Sequence, residues 1–220
     1  MSKSSIHHEG AEVTLSGEVF GALINLSGRR RFTSQRLVLY ALLAAQGQAD
    51  AAAVAREALA LFRGAHSGLV KGDSTLPGVF CPELREAYYG AQGGDRQILA
   101  FIELAERTLH AIECNRDSAA LLNELVASST PILSVLNQIT AIYEEQSKRH
   151  ANQVRKHLRG VITDIETIAK QAKMVAFNAR IVAARAGSVG KEFAVVAGVL
   201  SNITGEIDDM VKTALSSAAA

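Results

Sequence analysis

The chain has 220 residues, of which 48% are hydrophobic and 20% are charged, and its formal net charge is +1. This hydrophobic content excludes a chain that is disordered throughout, and the near-zero charge excludes a chain-wide attraction to nucleic acid or to an anionic membrane. Aromatic residues make up only 5% and tryptophan is absent, which favours narrow seams between helices over a thick sheet core. The composition therefore predicts an all-α protein.

The cysteines and the apolar segments indicate the cellular compartment of the protein. Cys81 and Cys114 lie far apart and outside any CxxC pattern, so neither a disulfide framework nor a zinc site is predicted. Residues 1–10 lack the apolar stretch of a secretion signal. The longest apolar run, Leu37 to Ala45, is far shorter than the roughly 20 residues that a membrane-spanning helix needs. We therefore expect a cytoplasmic protein without membrane insertion, which senses something inside the cell.

The first third of the chain has the apolar period of amphipathic helices. Apolar residues recur at three- and four-residue steps from Val13 to about Gln46, which predicts a helix that ends at Gly47. A second helix is predicted from Asp50, as its N-cap, to His66. The stretch from Gly68 to Pro82, rich in glycine and proline, predicts a long surface loop.

Helical patterns continue to about Glu145. A break at Gly90 to Gly94 precedes a helix that opens at Asp95, and residues 118–126 continue the helical character. Pro131, preceded by possible caps at residues 128–130, fits the first turn of a further helix. Four main helices, with one long loop among their connections, predict a four-helix bundle.

Beyond Ser147 the apolar pattern becomes a strict heptad, which is typical of a coiled coil. The first arm has Val154, Leu158, Val161, Ile165, Ile168, Ala172, Val175, Ala179 and Val182, and the second has Phe193, Val196, Leu200, Ile203, Ile207 and Met210. Gly187 to Gly190 separates the arms. The pattern predicts an antiparallel hairpin with its tip near 187–190, which pairs with a second copy to close a four-helix bundle.

Three consecutive arginines interrupt the first helix. Successive helical residues are about 100° apart, so Arg29, Arg30 and Arg31 cannot all share one solvent face, and at least one guanidinium should point into a groove or an interface. In one interpretation they extend to solvent or pair with carboxylates. In the other they form a small oxyanion site, where a two-fold axis places two guanidiniums against one anion.

The segment from Ile24 to Leu37, Ile-Asn-Leu-Ser-Gly-Arg-Arg-Arg-Phe-Thr-Ser-Gln-Arg-Leu, resembles the signature helix of type IV pilus chemoreceptors of the PilJ type, which are related to nitrate and nitrite sensor kinases. The resemblance extends through Leu76-Pro77 and the Ser-x-Pro-x-Leu pattern at 129–133 to Tyr143-Glu144. It covers about residues 12–146, which are expected to form the sensor domain.

This resemblance implies that nitrate or nitrite binds at a symmetric dimer interface. Arg31 matches the family's ligand arginine, and the implied site also contains Ser27, Gly28, Ser34 and Arg36, of which Arg36 has the more structural role. Phe32 replaces the family's usual methionine and Ser27 its usual alanine, with similar size.

A second resemblance covers residues 168–187 and 193–197. The sequence Ile-Ala-Lys-Gln-Ala-Lys-Met-Val-Ala-Phe-Asn-Ala-Arg-Ile-Val-Ala-Ala-Arg-Ala-Gly, followed by Phe-Ala-Val-Val-Ala, is similar to the hairpin tip of methyl-accepting chemotaxis proteins. In that family the tip binds a histidine kinase and its coupling adaptor and lets dimers gather into trimers. The expected partner-binding residues of the signalling hairpin, residues 147–214, are Phe177, Asn178, Ile181, Arg185 and Val195.

The hairpin departs from that family at its acidic positions. Val182 and Ser188 replace the family's acids, and Gly198-Val199 replaces the pair that follows Val-Val-Ala. Coupling to the kinase is therefore an open question, as is methylation.

No nucleophile-base pair, phosphate-binding glycine loop or metal cluster is visible, so we expect neither an enzyme nor a cofactor. The leading hypothesis is a cytoplasmic homodimeric receptor for nitrate or nitrite. An alternative is a truncated chemoreceptor that acts, without a ligand, as an interaction or decoy protein for the adaptor, the kinase or full receptors. A third reading assigns the basic segment 147–160 to RNA, although no RNA-binding signature accompanies it.

Overall fold

The structure, a computed structural model, describes residues 15–217 and the side chains of residues 15–214. These residues form six α-helices and one short 3-10 turn and contain no β-strand, which confirms the all-α prediction. The helices are α1 (Gly17–Ala45), α2 (Ala51–Lys71), α3 (Pro82–Tyr89), α4 (Gly94–Glu113), α5 (Ala119–Arg185) and α6 (Lys191–Ser217). The chain divides into two compact units between Arg149 and His150.

The first unit is a helical bundle around one hydrophobic core. Its helices α1, α2 and α4 and the first part of α5 each bury one apolar face, as the helical period predicts. The short helix α3 adds Leu84 and Tyr88 to the same core. The core includes Leu23, Leu37, Phe62, Leu69, Ile98, Leu109, Leu125, Leu136 and Tyr143.

The ends of α1 and α2 test the cap predictions. Ser16 Oγ accepts a hydrogen bond from the Val19 backbone N–H at 3.3 Å and caps α1, whereas the expected start at Val13 lies outside the described residues. Gly47 adopts φ +80° directly after the C-cap of α1, so the predicted end is confirmed. Asp50 occupies the predicted N-cap position of α2 with φ +61°, but its side chain makes no cap hydrogen bond.

The loop after α2 is shorter than the sequence suggested. Helix α2 continues past His66 to Lys71 because Leu69 is buried in the core. The loop then turns at Gly72, whose φ is +71° and where a Cβ atom would lie 2.6 Å from the Gly78 nitrogen. Helix α3, which the sequence analysis missed, begins with Pro82 in its first turn.

Pro131 lies inside α5, so the prediction that a helix begins there is wrong. A proline in a helix interior removes one backbone hydrogen bond and costs about 3 kcal/mol. Leu125 on one side of the proline and Ile132 and Leu136 on the other are all buried in the same core. Their packing keeps the backbone helical through the proline.

The second unit contains the predicted hairpin. Helix α5 ends at Arg185, a 3-10 turn covers Gly187–Gly190, and α6 begins at Lys191, so the tip near 187–190 is confirmed. Gly187 has φ +63°, and a Cβ atom on Gly190 would collide with the backbone oxygen of Ala183. Glycine is therefore required at both positions of the turn.

Small residues line the seam between the two arms of the hairpin. The buried residues are Ala169, Ala176 and Ala183 in α5 and Ala197, Thr204 and Val211 in α6, each set at steps of seven. The predicted heptad residues of α5 lie beside this seam and not in it. The large ones near the tip are exposed, Ile168 by 64%, Val175 by 61% and Val182 by 60%, and Ala172 and Ala179 are half-buried. One hairpin therefore buries an alanine seam and leaves an apolar heptad uncovered.

By length and composition, α5 is the one helix among residues 15–217 that could cross a membrane. A single such helix is weak evidence, because core helices of soluble proteins meet the same test. Leu125, Ile132 and Leu136 of this helix lie in the core of the first unit.

Candidate sensing site and signalling hairpin

The three arginines of α1 have three different environments. Arg29 is exposed, Arg30 is completely buried and Arg31 is partly buried. The expectation that the helical turn forces one guanidinium inward is therefore confirmed, and the buried residue is Arg30.

Arg30 is held by residues of two helices. Its Nη1 lies 3.2 Å from His66 Nδ1 and its Nη2 donates to Ser27 Oγ at 3.2 Å. Because a guanidinium has only donors, His66 Nδ1 must be the acceptor, and the imidazole proton must lie on Nε2. That nitrogen lies 3.0 Å from Asp95 Oδ1, so Asp95 accepts and its negative charge balances Arg30 across the imidazole ring.

This environment keeps His66 neutral. Burial of the ring, followed by the nearby positive charge of Arg30, lowers the pKa of His66 from 6.5 to about 4, although Asp95 opposes the shift. A protonated ring could not accept a hydrogen bond from Arg30 at Nδ1. The lowered pKa of His66 and its hydrogen bond with Arg30 therefore depend on each other.

A chain of hydroxyl groups leads from Arg30 to α5. Ser27 Oγ lies 2.8 Å from Thr140 Oγ1, and Thr140 Oγ1 donates to the Leu136 carbonyl at 2.7 Å. Since Thr140 uses its single proton on Leu136, Ser27 must donate to Thr140 and accept from Arg30. The hydrogen bonds therefore run in one direction, from the guanidinium on α1 to the backbone of α5.

Aromatic rings close the remaining side of this cluster. The Arg30 guanidinium carbon lies 5.8 Å from the centre of the Tyr88 ring, within the range of a cation–π contact. The Tyr88 and Tyr143 hydroxyl groups lie 3.4 Å apart, and burial raises the pKa of Tyr143. Arg30 Nε has no hydrogen-bond partner among the described residues.

Arg31, the predicted anion ligand, has a different set of contacts. Its Nη1 donates to Asn137 Oδ1 on α5 at 3.3 Å, and among the described residues no carboxylate forms an ion pair with it. A Cβ atom on Gly28 would lie 3.8 Å from Arg31 Nη2, so the absence of a side chain there leaves the space beside the guanidinium open. Ser34 is buried and donates to the Arg31 carbonyl at 2.8 Å.

The remaining predicted site residues have structural contacts. Arg36 pairs with Glu57 of α2 at 3.7 Å, and its guanidinium carbon lies 5.7 Å from the Tyr40 ring centre. Ser27 belongs to the buried hydroxyl chain and is not exposed. Of the five predicted residues, Gly28 lies beside the Arg31 guanidinium and Ser34 bonds to the Arg31 backbone, while Ser27 and Arg36 contact other helices.

An exposed apolar strip runs along the same helix. Phe32 is 64% exposed and Leu39 is 52% exposed, seven residues apart on α1. Gln35 lies between them and accepts a hydrogen bond from Ser129 of α5 at 3.1 Å. Two large apolar side chains in solvent at heptad spacing form a candidate contact surface beside Arg31.

The predicted partner-binding residues of the hairpin all face solvent. Asn178 and Arg185 are exposed, and the exposed fractions are 63% for Phe177, 38% for Ile181 and 67% for Val195. Among the described residues no cluster of histidine, cysteine, aspartate or glutamate could hold a metal ion.

The sequence analysis missed His66, Asp95 and Thr140. His66 lies on the buried face of α2 between Phe62 and Leu69, and a polar residue in an apolar stripe was the available signal. Nothing in the sequence connects it to Arg30 or Asp95, because the three residues come from three helices.

The fold defines a class of protein: a helical bundle followed in the chain by a helical hairpin. Residues 17–103 match the family model for the type IV pili methyl-accepting chemotaxis transducer N-terminal domain. Residues 129–214 match the model for the methyl-accepting chemotaxis protein signalling domain. Comparison with curated proteins and with solved structures gave no significant match.

The chain therefore combines a PilJ-type N-terminal domain with a methyl-accepting chemotaxis protein signalling domain, and both resemblances are confirmed over these residues. The extension of the first resemblance to about residue 146 stays a prediction. Its function is chemoreceptor-like signal transduction. Both families consist of signalling receptors and not of enzymes.

Proposed function

We propose that this chain is a homodimeric receptor that binds a small oxyanion, nitrate or nitrite, beside Arg31 and passes a change in helix packing to the hairpin. The observation that carries this proposal is that two adjacent arginines have different environments. Arg30 is charge-balanced inside the bundle, whereas the partly exposed Arg31 is bonded to the neutral amide of Asn137.

Arg31 has the chemistry that an oxyanion site needs. A guanidinium stays charged at physiological pH and presents a planar fork of donors to a planar or forked anion. An anion would replace the 3.3 Å contact to a neutral amide oxygen with a contact between opposite charges, in which the guanidinium can donate two parallel hydrogen bonds. The open space over Gly28 supports access to Nη2.

A second copy would complete the site. Phe32 and Leu39 expose apolar surface on the helix that carries Arg31, and a two-fold contact there would bury both residues. Such a contact would bring two Arg31 side chains together, and their mutual repulsion would favour one anion between them. Binding would then shift the dimer toward the packing that holds the two guanidiniums closest.

Helix α5 supports the route from the anion to the hairpin. Arg31 contacts Asn137 and the Arg30 cluster contacts Thr140, both on α5. Movement of the Arg31 side chain toward an anion would release Asn137 and so change the packing of α1 against α5. Since α5 continues to Arg185, its C-terminal part forms one arm of the hairpin.

The hairpin is the proposed output. Signalling domains of this family typically form dimers and couple to chemotaxis adaptors and kinases in the cytoplasm. The uncovered heptad at Ile168, Val175 and Val182 supports pairing with a second copy. The exposed tip residues Phe177, Ile181 and Arg185 support contact with a further protein. We propose a cytoplasmic location for the whole chain.

Titration calorimetry tests the ligand. Nitrate and nitrite are added to the wild type, to Arg31→Ala and to the matched control Arg29→Ala, which removes an exposed arginine from the same helix. We expect heat from the wild type and from Arg29→Ala and none from Arg31→Ala. No heat from the wild type, or equal loss in both variants, would end the nitrate claim.

The exposed hairpin surface also favours a second candidate function, a ligand-independent interaction protein that mixes or competes with full chemoreceptors. Co-purification with the coupling adaptor or the kinase, measured with and without nitrate, separates the two functions. Binding that ignores the anion favours this second function, and binding that the anion changes favours the receptor.

A further inference from the structure

Helix α5 presents three different faces along the hairpin. The first is the buried alanine seam against α6. The second is an uncharged stripe of Ile168, Ala172, Val175, Ala179 and Val182. The third flanks the seam on the side away from the uncharged stripe. Its residues follow helical steps of three and four: Lys170, Lys173, Met174, Phe177, Arg180 and Ile181. We call this third face the basic stripe.

The basic stripe exposes large apolar side chains between its charges. Met174 is 62% exposed, Phe177 is 63% exposed and Ile181 is 38% exposed. An open depression of about 580 Å³ is lined by Lys170, Lys173, Met174, Phe177 and Asn178. Apolar groups in a shallow groove with charges at the rim are typical of a protein-binding surface.

Positive charge dominates this part of the chain. From Ile168 to Leu200 the basic residues are Lys170, Lys173, Arg180, Arg185 and Lys191, against the single acid Glu192. Lys170 pairs with Glu166 and Lys173 with Asp208, but among the described residues Arg180 forms no ion pair. The stripe therefore keeps uncompensated positive charge at Arg180, beside Phe177 and Ile181.

This charge decides which occupant the stripe fits. Two copies of the stripe would bring like charges together around an apolar contact, which is unfavourable, whereas the uncharged stripe has no such barrier. A membrane surface is flat on the scale of one helix and would not fill the depression, whereas an amphipathic helix can place one apolar side chain in it. We propose that the basic stripe binds an acidic amphipathic helix of a different protein.

This inference rests on the proposed function, because it names the kind of partner that the hairpin contacts. The probe is a fluorescent synthetic peptide about five helical turns long, with leucine along one face and glutamate on both sides of it. Matched peptides carry glutamine or lysine in place of glutamate. Anisotropy is measured with the full chain, with Arg180→Glu, and with Arg155→Glu, which reverses an exposed charge elsewhere on α5.

We expect the glutamate peptide to bind the wild type and Arg155→Glu about tenfold more tightly than it binds Arg180→Glu. The lysine peptide should bind Arg180→Glu better than it binds the wild type, a reversal that misfolding cannot produce. Equal affinity for all three peptides, or equal loss in both variants, overturns the proposal.

Two further measurements distinguish the proposed acidic helix from the other possible occupants of the stripe, a second copy of the chain and a lipid surface. Arg180→Glu should leave the sedimentation coefficient unchanged, and a change of oligomeric state would make the stripe a contact between copies and overturn the proposal. Tighter binding of the wild type to vesicles with about 30% phosphatidylserine than to the glutamate peptide would identify a lipid surface and overturn it as well. Peptide binding that persists while nitrate gives no heat supports this inference and removes only the ligand claim.

Discussion

His66 Nδ1 accepts a hydrogen bond from Arg30 Nη1 at 3.2 Å, and this contact joins α2 to the arginine-rich turn of α1. Only a neutral imidazole can make this contact, because a protonated ring has no lone pair at Nδ1 to accept from Arg30. The proton of the neutral ring lies on Nε2, which donates to Asp95. A buried charge, a tautomer and a carboxylate on three helices therefore depend on one another.

The first prediction concerns pH. Since the pKa of His66 is about 4 in the folded protein and 6.5 in the unfolded chain, only the unfolded chain binds this proton between those values. The free energy of unfolding therefore has its full value above pH 6.5. It decreases by an amount on the order of 3 kcal/mol as the pH is lowered from 6.5 to 4. Urea unfolding across this range measures the slope.

His66→Gln is the control for this slope. A glutamine can accept from Arg30 through its oxygen and donate to Asp95 through its nitrogen, but it does not titrate. We expect it to retain most of the stability at pH 7 and to flatten the dependence between pH 4 and 6.5. An unchanged slope in this variant would assign the effect to other groups.

The second prediction concerns Arg30 itself. Arg30→Ala leaves a cavity and removes the positive charge that balances Asp95, so it should lower the free energy of unfolding by about 3 kcal/mol. The neighbouring Arg29→Ala removes an exposed side chain and should change it by less than about 0.5 kcal/mol. Similar losses in both variants would contradict the burial of Arg30.

The third prediction is a coupling between hydroxyl groups on α1 and α5. Ser27→Ala and Thr140→Ala each break the 2.8 Å contact between Oγ and Oγ1. In a double-mutant cycle the two substitutions should show a coupling of about 1 kcal/mol, because the second loses nothing further at that contact. A coupling energy of zero would mean that the two hydroxyl groups do not interact.

The fourth prediction concerns pairing of the hairpins. Val175 is 61% exposed and belongs to the uncovered heptad, so Val175→Glu should raise the dissociation constant of the proposed homodimer by about tenfold or more. Thr163→Glu adds the same charge on another exposed face of α5 and should leave the constant unchanged. Sedimentation equilibrium measures both. Equal effects would place the dimer contact elsewhere.

The fifth prediction concerns the hairpin tip. Gly190→Ala forces a Cβ atom onto the Ala183 backbone oxygen, so it should lower the stability of the hairpin. Gly160→Ala has no atom within 4 Å of the added Cβ and should stabilise α5 by about 0.5 to 1 kcal/mol. Thermal unfolding followed by circular dichroism compares the two. A stable Gly190→Ala variant would contradict the tight turn.

Particular elements show how far the sequence could be read. The end of α1 at Gly47 and the hairpin turn at Gly187–Gly190 were predictable, because glycine at these places reflects a local backbone requirement. The start of a helix at Pro131 was a wrong prediction, because the buried side chains around it outweigh the local rule. Helix α3 has eight residues, too few for its apolar period to stand out.

The sequence by itself determined the helical class, the heptad hairpin and the requirement that one arginine of α1 point inward. These follow from the period of apolar side chains and from the fixed angle between helical residues. Only the tertiary structure decided that the buried residue is Arg30. Its partner His66 comes from another helix, and Asp95 and Thr140, which bond to His66 and Ser27, come from two more. It likewise decided that α5 contributes alanines to the seam of the hairpin, since the choice between two neighbouring apolar stripes depends on how closely the second arm approaches.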